Sequence, residues 1–103
     1  MSDKRGKWSK KERDLIWKNY VDDKEYIRSC INDIGISIDF NNFVFSQEAP
    51  CPFCGERILK AQYQGVQKNK WASWDIDHKN SDSKDNNLNN LQPMHPWCNK
   101  EKN

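Results

Sequence analysis

Two residue pairs of the same internal spacing, Cys51-x-x-Cys54 and His95-x-x-Cys98, flank residues 55–94 of a 103-residue chain. No other feature constrains the fold as strongly. A tetrahedral Zn²⁺ held by three thiolates and one imidazole would tie both ends of that span together. A chain this short buries only a modest fraction of its surface, so such a staple is physically useful. The first pair lies in Pro50-Cys51-Pro52-Phe53-Cys54-Gly55, a tight knuckle punctuated by proline and glycine. The competing reading is buried free thiols beside an ordinary strand-end histidine. Four cysteines also permit disulfides, but without a signal-peptide pattern metal binding is the better use of Cys-x-x-Cys. Cys30 has no partner at ligand spacing and reads as core.

Composition bounds the remainder. Charged residues are 31% and hydrophobic residues 35%, with a mean hydropathy of −1.12. The chain is polar, yet five Trp, four Phe and three Tyr supply enough large apolar groups to argue against disorder. A thin aromatic core with long loops is expected. Net charge is +2, but Lys4, Arg5, Lys7, Lys10, Lys11 and Arg13 crowd the first thirteen residues. That basic arm suits a phosphate backbone and equally reads as a solvated tail. No apolar run approaches the length of a membrane span, so a soluble, cytoplasmic protein is expected.

Along the chain, residues 1–8 read as a flexible basic arm. Residues 9–48 read as a helical and short-strand part packing on a core formed by 49–103. Ser9 and Glu12 have capping-box spacing, which predicts a helix from Ser9 to Tyr20 with Leu15, Ile16 and Tyr20 near one face and Trp8 as a staple. A second helix is expected over Lys24–Ile31, stopped by Gly35. Ile36, Ile38 and Phe40 alternate with polar residues, and Phe43-Val44-Phe45 follows, so short strands are expected there. Another is expected near Ile58–Tyr63. Trp74–His78 alternates like a strand, Lys79–Asn89 is a polar loop, Leu91–His95 is a further strand, and Pro96 suits the first turn of a final helix.

The chemistry concentrates in that last stretch. Trp74-Asp75-Ile76-Asp77-His78, a polar loop, Asn90-Leu91-Gln92-Pro93 and Cys98-Asn99-Lys100-Glu101-Lys102 follow one another in order. An Asp-His pair alone is weak evidence and reads as a solvated strand end. The ordered set with Asn90 and Asn99 is much more specific.

On these residues the chain resembles the HNH endonuclease family, best over residues 51–102. Trp8-Ser9 and Ile16-Trp17 also resemble the opening of small phage and bacterial members. The resemblance implies an α+β fold: a ββα-metal core of two antiparallel strands and a helix, here with N-terminal helices and a structural zinc site. It implies that His78 is the general base, that Asp77 and Asn99 hold one catalytic Mg²⁺ or Mn²⁺, and that Asn90 closes the loop and orients the imidazole. It implies DNA, most naturally double-stranded, as partner, in a bacterial or phage-infected cell. Many members carry two Cys-x-x-Cys pairs; here His95 replaces the third cysteine, which preserves zinc ligation by Cys51, Cys54, His95 and Cys98 but also leaves His95 open to a structural or phosphate-side role.

Physical chemistry suits those roles. Phosphodiester hydrolysis needs an activated water and neutralisation of charge at the phosphate and leaving oxygen. A neutral imidazole serves the first task near neutral pH. A hard divalent cation on oxygen ligands serves the second. Neighbouring Asp77 and His78 face opposite sides of a regular strand, so both reach one phosphate only if the strand ends or bends at His78. Lys79, Lys84, Lys100 and Lys102 are candidate phosphate contacts or ordinary surface charge. Trp71 and Trp74 read as core. Two further readings stand beside the nuclease: a non-catalytic zinc module binding nucleic acid or protein, and a nuclease subunit dependent on a protein partner.

Overall fold

The computed structural model describes residues 8–63 and 72–102. Most of the expected basic arm, and Trp71, lie outside the described residues. Helix α1 (Lys10–Asp22) is followed by α2 (Lys24–Ile34), strands β1 (Glu48–Pro50), β2 (Arg57–Leu59), β3 (Asp75–His78) and β4 (Leu91–Met94), and helix α3 (Pro96–Lys102). Single 3₁₀ turns occupy Phe40–Asn42, Lys60–Gln62 and Leu88–Asn90. The result is a small mixed helix-and-sheet domain with three helices and two two-stranded antiparallel sheets among the described residues. No helix among them is long and apolar enough to cross a membrane.

Local chemistry sets the helix ends. The Glu12 N–H donates to Ser9 Oγ at 3.1 Å and the Ser9 N–H to Glu12 Oε1 at 2.9 Å, so the capping box forms as expected. The Asp23 side chain caps α2 by accepting from the Tyr26 N–H. Gly35 ends α2 in the left-handed region at φ 88°, where its N–H meets the Ile31 and Asn32 carbonyls. Helix α1 buries Ile16, Trp17, Tyr20 and Val21. Leu15 departs from the expected face and is 48% exposed. Trp8 packs across the fold against His78, with ring centroids 6.3 Å apart.

The strands expected within residues 36–45 do not form. Phe40 begins a 3₁₀ turn, Phe45 lies in another turn, and the two rings pack at 5.7 Å. Alternation makes a strand only where a partner edge is available; here Ile38, Phe40 and Phe45 pack against the core from turns and loop, while Ile36 and Val44 stay exposed. The strand expected over Ile58–Tyr63 forms only as Arg57–Leu59, paired with β1 in the register Glu48↔Leu59, Ala49↔Ile58, Pro50↔Arg57. The cysteine knuckle is thus the turn of a hairpin. The other hairpin pairs Asp75↔Met94, Ile76↔Pro93, Asp77↔Gln92 and His78↔Leu91.

Aromatics fill the space between the hairpins and α1. Trp74 lies 5.4 Å from Trp17 and 5.0 Å from Tyr63, ring to ring. Each polar handle finds a carbonyl: Trp17 Nε1 donates to Phe45 O, Trp74 Nε1 to Lys60 O, and Tyr20 Oη to Pro50 O. That last bond pins α1 to the edge of the knuckle.

Candidate metal centre and adjoining cleft

Backbone bonds shape the knuckle. The Cys51 N–H donates to Glu56 O, the Gly55 N–H to Cys51 O, and the Phe53 N–H points at Cys51 Sγ, 3.5 Å away. Gly55 has φ 81°, a conformation that favours glycine, and a Cβ there would stand 2.4 Å from Ile36 Cδ1, so the Ile36 tip would have to move. The second pair straddles the junction of β4 and α3, where the Asn99 N–H donates to His95 O.

His95 is 1% exposed, and its Nε2 lies 3.1 Å from Arg57 O. A carbonyl only accepts, so Nε2 carries the proton and the Nδ1 lone pair faces Cys54 Sγ at 3.4 Å and Cys98 Sγ at 3.7 Å. One donor atom from each of Cys51, Cys54, His95 and Cys98 lies within 4.8 Å of every other. Edges of roughly 3.5–3.8 Å are those of a zinc tetrahedron. Donor chemistry, tautomer and spacing all fit a zinc ion, and the expected ligand set converges.

Among the described residues, the groups that most affect these thiols are one another, His95 and burial rather than an ammonium or guanidinium. The hydrogen bond from Cys51 holds Cys54 down to about 4, with His95 assisting against the opposing effect of burial. The same shared bond, with burial, drives the Cys51 thiol upward. Burial and the Cys54 charge push Cys98 up to about 12. The thiols thus shift one another in opposite directions, and a dication is what would favour ionising them all.

The opposite end of the same hairpin and helix gathers oxygen rather than sulfur. Asp77 is 0% exposed, and its Oδ2 accepts from Gln92 Nε2 at 2.8 Å, directly across the strand pair. Gln92 Oε1 in turn accepts from Tyr26 Oη at 2.6 Å, which links the site to α2. Lys102 Nζ donates to Asp77 Oδ2 at 2.9 Å and Oδ1 at 3.3 Å, to His78 O at 2.9 Å and to Lys79 O at 3.1 Å. Asn99, one turn earlier on α3, donates from Nδ2 to Ile76 O.

His78 is the last residue of β3, still paired with Leu91, and its Nε2 lies 2.8 Å from Asn86 Oδ1. The partner expected for this ring was Asn90. Asn90 instead ties the loop: its Nδ2 donates to Asn80 Oδ1 and Asp85 O, and its Oδ1 accepts from the Asn80 N–H. The loop-closing half of its expected role is present, while the orienting contact belongs to Asn86.

A cleft of about 430 Å³ opens beside His78, lined also by Asp75, Ser81, Pro96, Asn99 and Lys100. Asp77 is buried and does not line it. Burial holds the Asp75 carboxyl above its usual range. Ser81 adopts φ 63° at the rim. Of the four candidate lysines, Lys100 lines the cleft and Lys84 is exposed on the loop. Lys79 lies 4.0 Å over the Tyr26 ring, with burial lowering its ammonium pKa. Lys102 is turned inward. Asn86, Gln92 and Tyr26 went unrecognised in the sequence. Asn86 is one of several asparagines in a polar run, and Tyr26 carries a helical-core spacing indistinguishable from that of its neighbours.

A scan against family models finds no match, and searches of curated proteins and of solved structures find no significant match.

Proposed function

We propose that the chain is an HNH-type nuclease domain that hydrolyses phosphodiester bonds in DNA with one divalent cation. The observation carrying this reading is that His78 and Asn99 line one cleft, with the buried Asp77 next to His78 along a β-hairpin followed by a helix. The donor set fits a hard cation: the Asp77 carboxylate and the His78 and Lys79 carbonyls already surround one, the Lys102 ammonium. Asp77 and Asn99 would hold Mg²⁺ or Mn²⁺, and the ion would neutralise charge on the phosphate and leaving oxygen.

The chain's own residues supply the remainder. An amide oxygen only accepts, so the Asn86 contact places the imidazole proton on Nε2 and leaves the Nδ1 lone pair to take a proton from water attacking phosphorus. Trp8 packs against the ring and restricts its rotation. Lys100 offers the phosphate an ammonium at the cleft. Zinc at Cys98 would fix the first turn of α3 and, one residue on, Asn99. Double-stranded DNA is the partner this reading favours, with a bacterial or phage-infected cytoplasm as the setting.

Supercoiled plasmid incubated with the zinc-loaded protein and added Mg²⁺ or Mn²⁺ tests the proposal. Nicking or linearisation that needs the added ion and disappears in His78→Ala is the expected result. Folded protein that cleaves nothing with any divalent ion would return the chain to a zinc module that binds without catalysis or to a subunit awaiting a protein partner.

A further inference from the structure

A carboxylate removed from water must be compensated by charge and hydrogen bonds or it destabilises the fold. Asp77 has no exposure, and among the described residues Gln92 and Lys102 both compensate it. Gln92 contributes a neutral amide whose own orientation is fixed by Tyr26, so it aims the carboxylate without cancelling its charge. Lys102 contributes a full positive charge and bonds to four oxygens, a coordination that a hard cation would also take.

We infer that Lys102 is the internal counter-ion of Asp77 and that a divalent cation enters the site only by displacing it. The inference rests on the nuclease reading for the identity of the ion. Three observations support a displaceable ammonium rather than a permanent clamp. The Lys102 side chain is 22% exposed, against 0% for Asp77, so a path to solvent exists. Lys102 is the last residue of α3, where a helix frays at little cost. The Tyr26–Gln92–Asp77 chain does not pass through Lys102, so the carboxylate stays aimed when the ammonium leaves. Of the four lysines read from the sequence as phosphate contacts, this one therefore acts first on the cation.

The test uses Mn²⁺ alone, without DNA, on the full chain carrying its thiol-bound metal in chelator-free buffer. Manganese prefers oxygen donors and leaves the thiol cluster to softer ions. A competitor lowers apparent affinity by the fraction of sites it occupies, so Lys102→Met should bind Mn²⁺ about ten-fold more tightly than wild type. It should also melt lower in the absence of Mn²⁺ and regain more stability on Mn²⁺ addition than wild type does. Adding Asp77→Asn to Lys102→Met should erase that gain. Should Lys102→Met fail to fold, amine labelling of wild type with mass-spectrometric readout answers the same question: Lys102 modification should rise several-fold at saturating Mn²⁺. Mn²⁺ affinity in Lys102→Met equal to or weaker than wild type, or Lys102 labelling indifferent to Mn²⁺, overturns the inference. Equal Mn²⁺ binding alongside intact plasmid cleavage overturns the counter-ion role alone; no Mn²⁺ binding in either protein and no cleavage overturns the nuclease reading with it.

Discussion

Helix α3 begins in one cation environment and ends in another. Its first turn places Cys98 with two other thiols and an imidazole, and its last turn places Lys102 among hard oxygens. Among the described residues no ammonium or guanidinium features in the shifts of the sulfur cluster, whose thiols pull one another's pKa values apart. The oxygen cluster has its own cation in Lys102, joined to a neutral chain reaching back to α2. The difference teaches where stability and chemistry divide. A cluster that waits for a soft ion ties the domain together only when loaded. A cluster neutralised from within is formed on folding and can exchange its cation later.

The largest effect should come from the sulfur side. Cys51→Ser should lose bound zinc, measured as metal per chain, and lower the melting temperature by ~12 °C or more, since each kcal/mol is worth about 4–8 °C in a small domain. Cleavage should vanish with it although no group touching DNA has changed. A variant that kept its melting temperature and activity without zinc would remove the sulfur cluster's structural role. On the oxygen side, His78→Ala should behave oppositely: plasmid cleavage falls by about 10²–10⁴-fold, while zinc content and melting temperature stay near wild type. A large loss of stability in that variant would mean that the Trp8–His78 contact matters more to folding than to chemistry.

Smaller effects grade the neutral chain. Gln92→Leu leaves both Tyr26 Oη and Asp77 Oδ2 short of a buried partner and should cost about 1–3 kcal/mol in urea unfolding. Tyr26→Phe removes one hydrogen bond from the same chain and should cost about 0.5–1.5 kcal/mol. The reverse order would place the weight on the α2 end of the chain rather than on Asp77. Alkaline titration touches both regions at once, because Tyr20 holds the knuckle edge and Tyr26 the oxygen cluster. Burial raises both phenols, and holds Tyr63 up at about 12. Phenols with folded pKa values above the unfolded value of about 10 stabilise fully below pH 10 and lose that contribution as pH rises through 12. Circular dichroism should therefore show unfolding that sets in above pH 10, with Tyr26→Phe shifting the onset.

Much of this division was already legible in residue order. The capping box at Ser9, the stop at Gly35, the four thiol and imidazole donors, and the strand–loop–strand–helix order of the last stretch depend on local spacing, and local spacing survives folding. The strands expected over residues 36–45 show the opposite case. Their alternation was real, yet the segment pairs with no strand among the described residues, and Phe40 and Phe45 packed on each other instead. Asn86 and Asn90 differ by four positions in one polar run, and only the path of the loop selects which of them meets His78.

The sequence by itself determined the donor types and their order: three thiols, one imidazole at matching spacing, one carboxylate beside one histidine, and an amide on the final helix. Tertiary structure decided their pairings. It turned the His95 tautomer toward sulfur through the Arg57 carbonyl, and it set Gln92 between Tyr26 and Asp77. It also sent Lys102 inward to the carboxylate rather than outward to phosphate. The physical reason is range. Spacing along the chain dictates which groups share a turn, a strand or a cap, whereas a buried charge takes its partner from whatever element folding brings against it, here 25 residues away on another element.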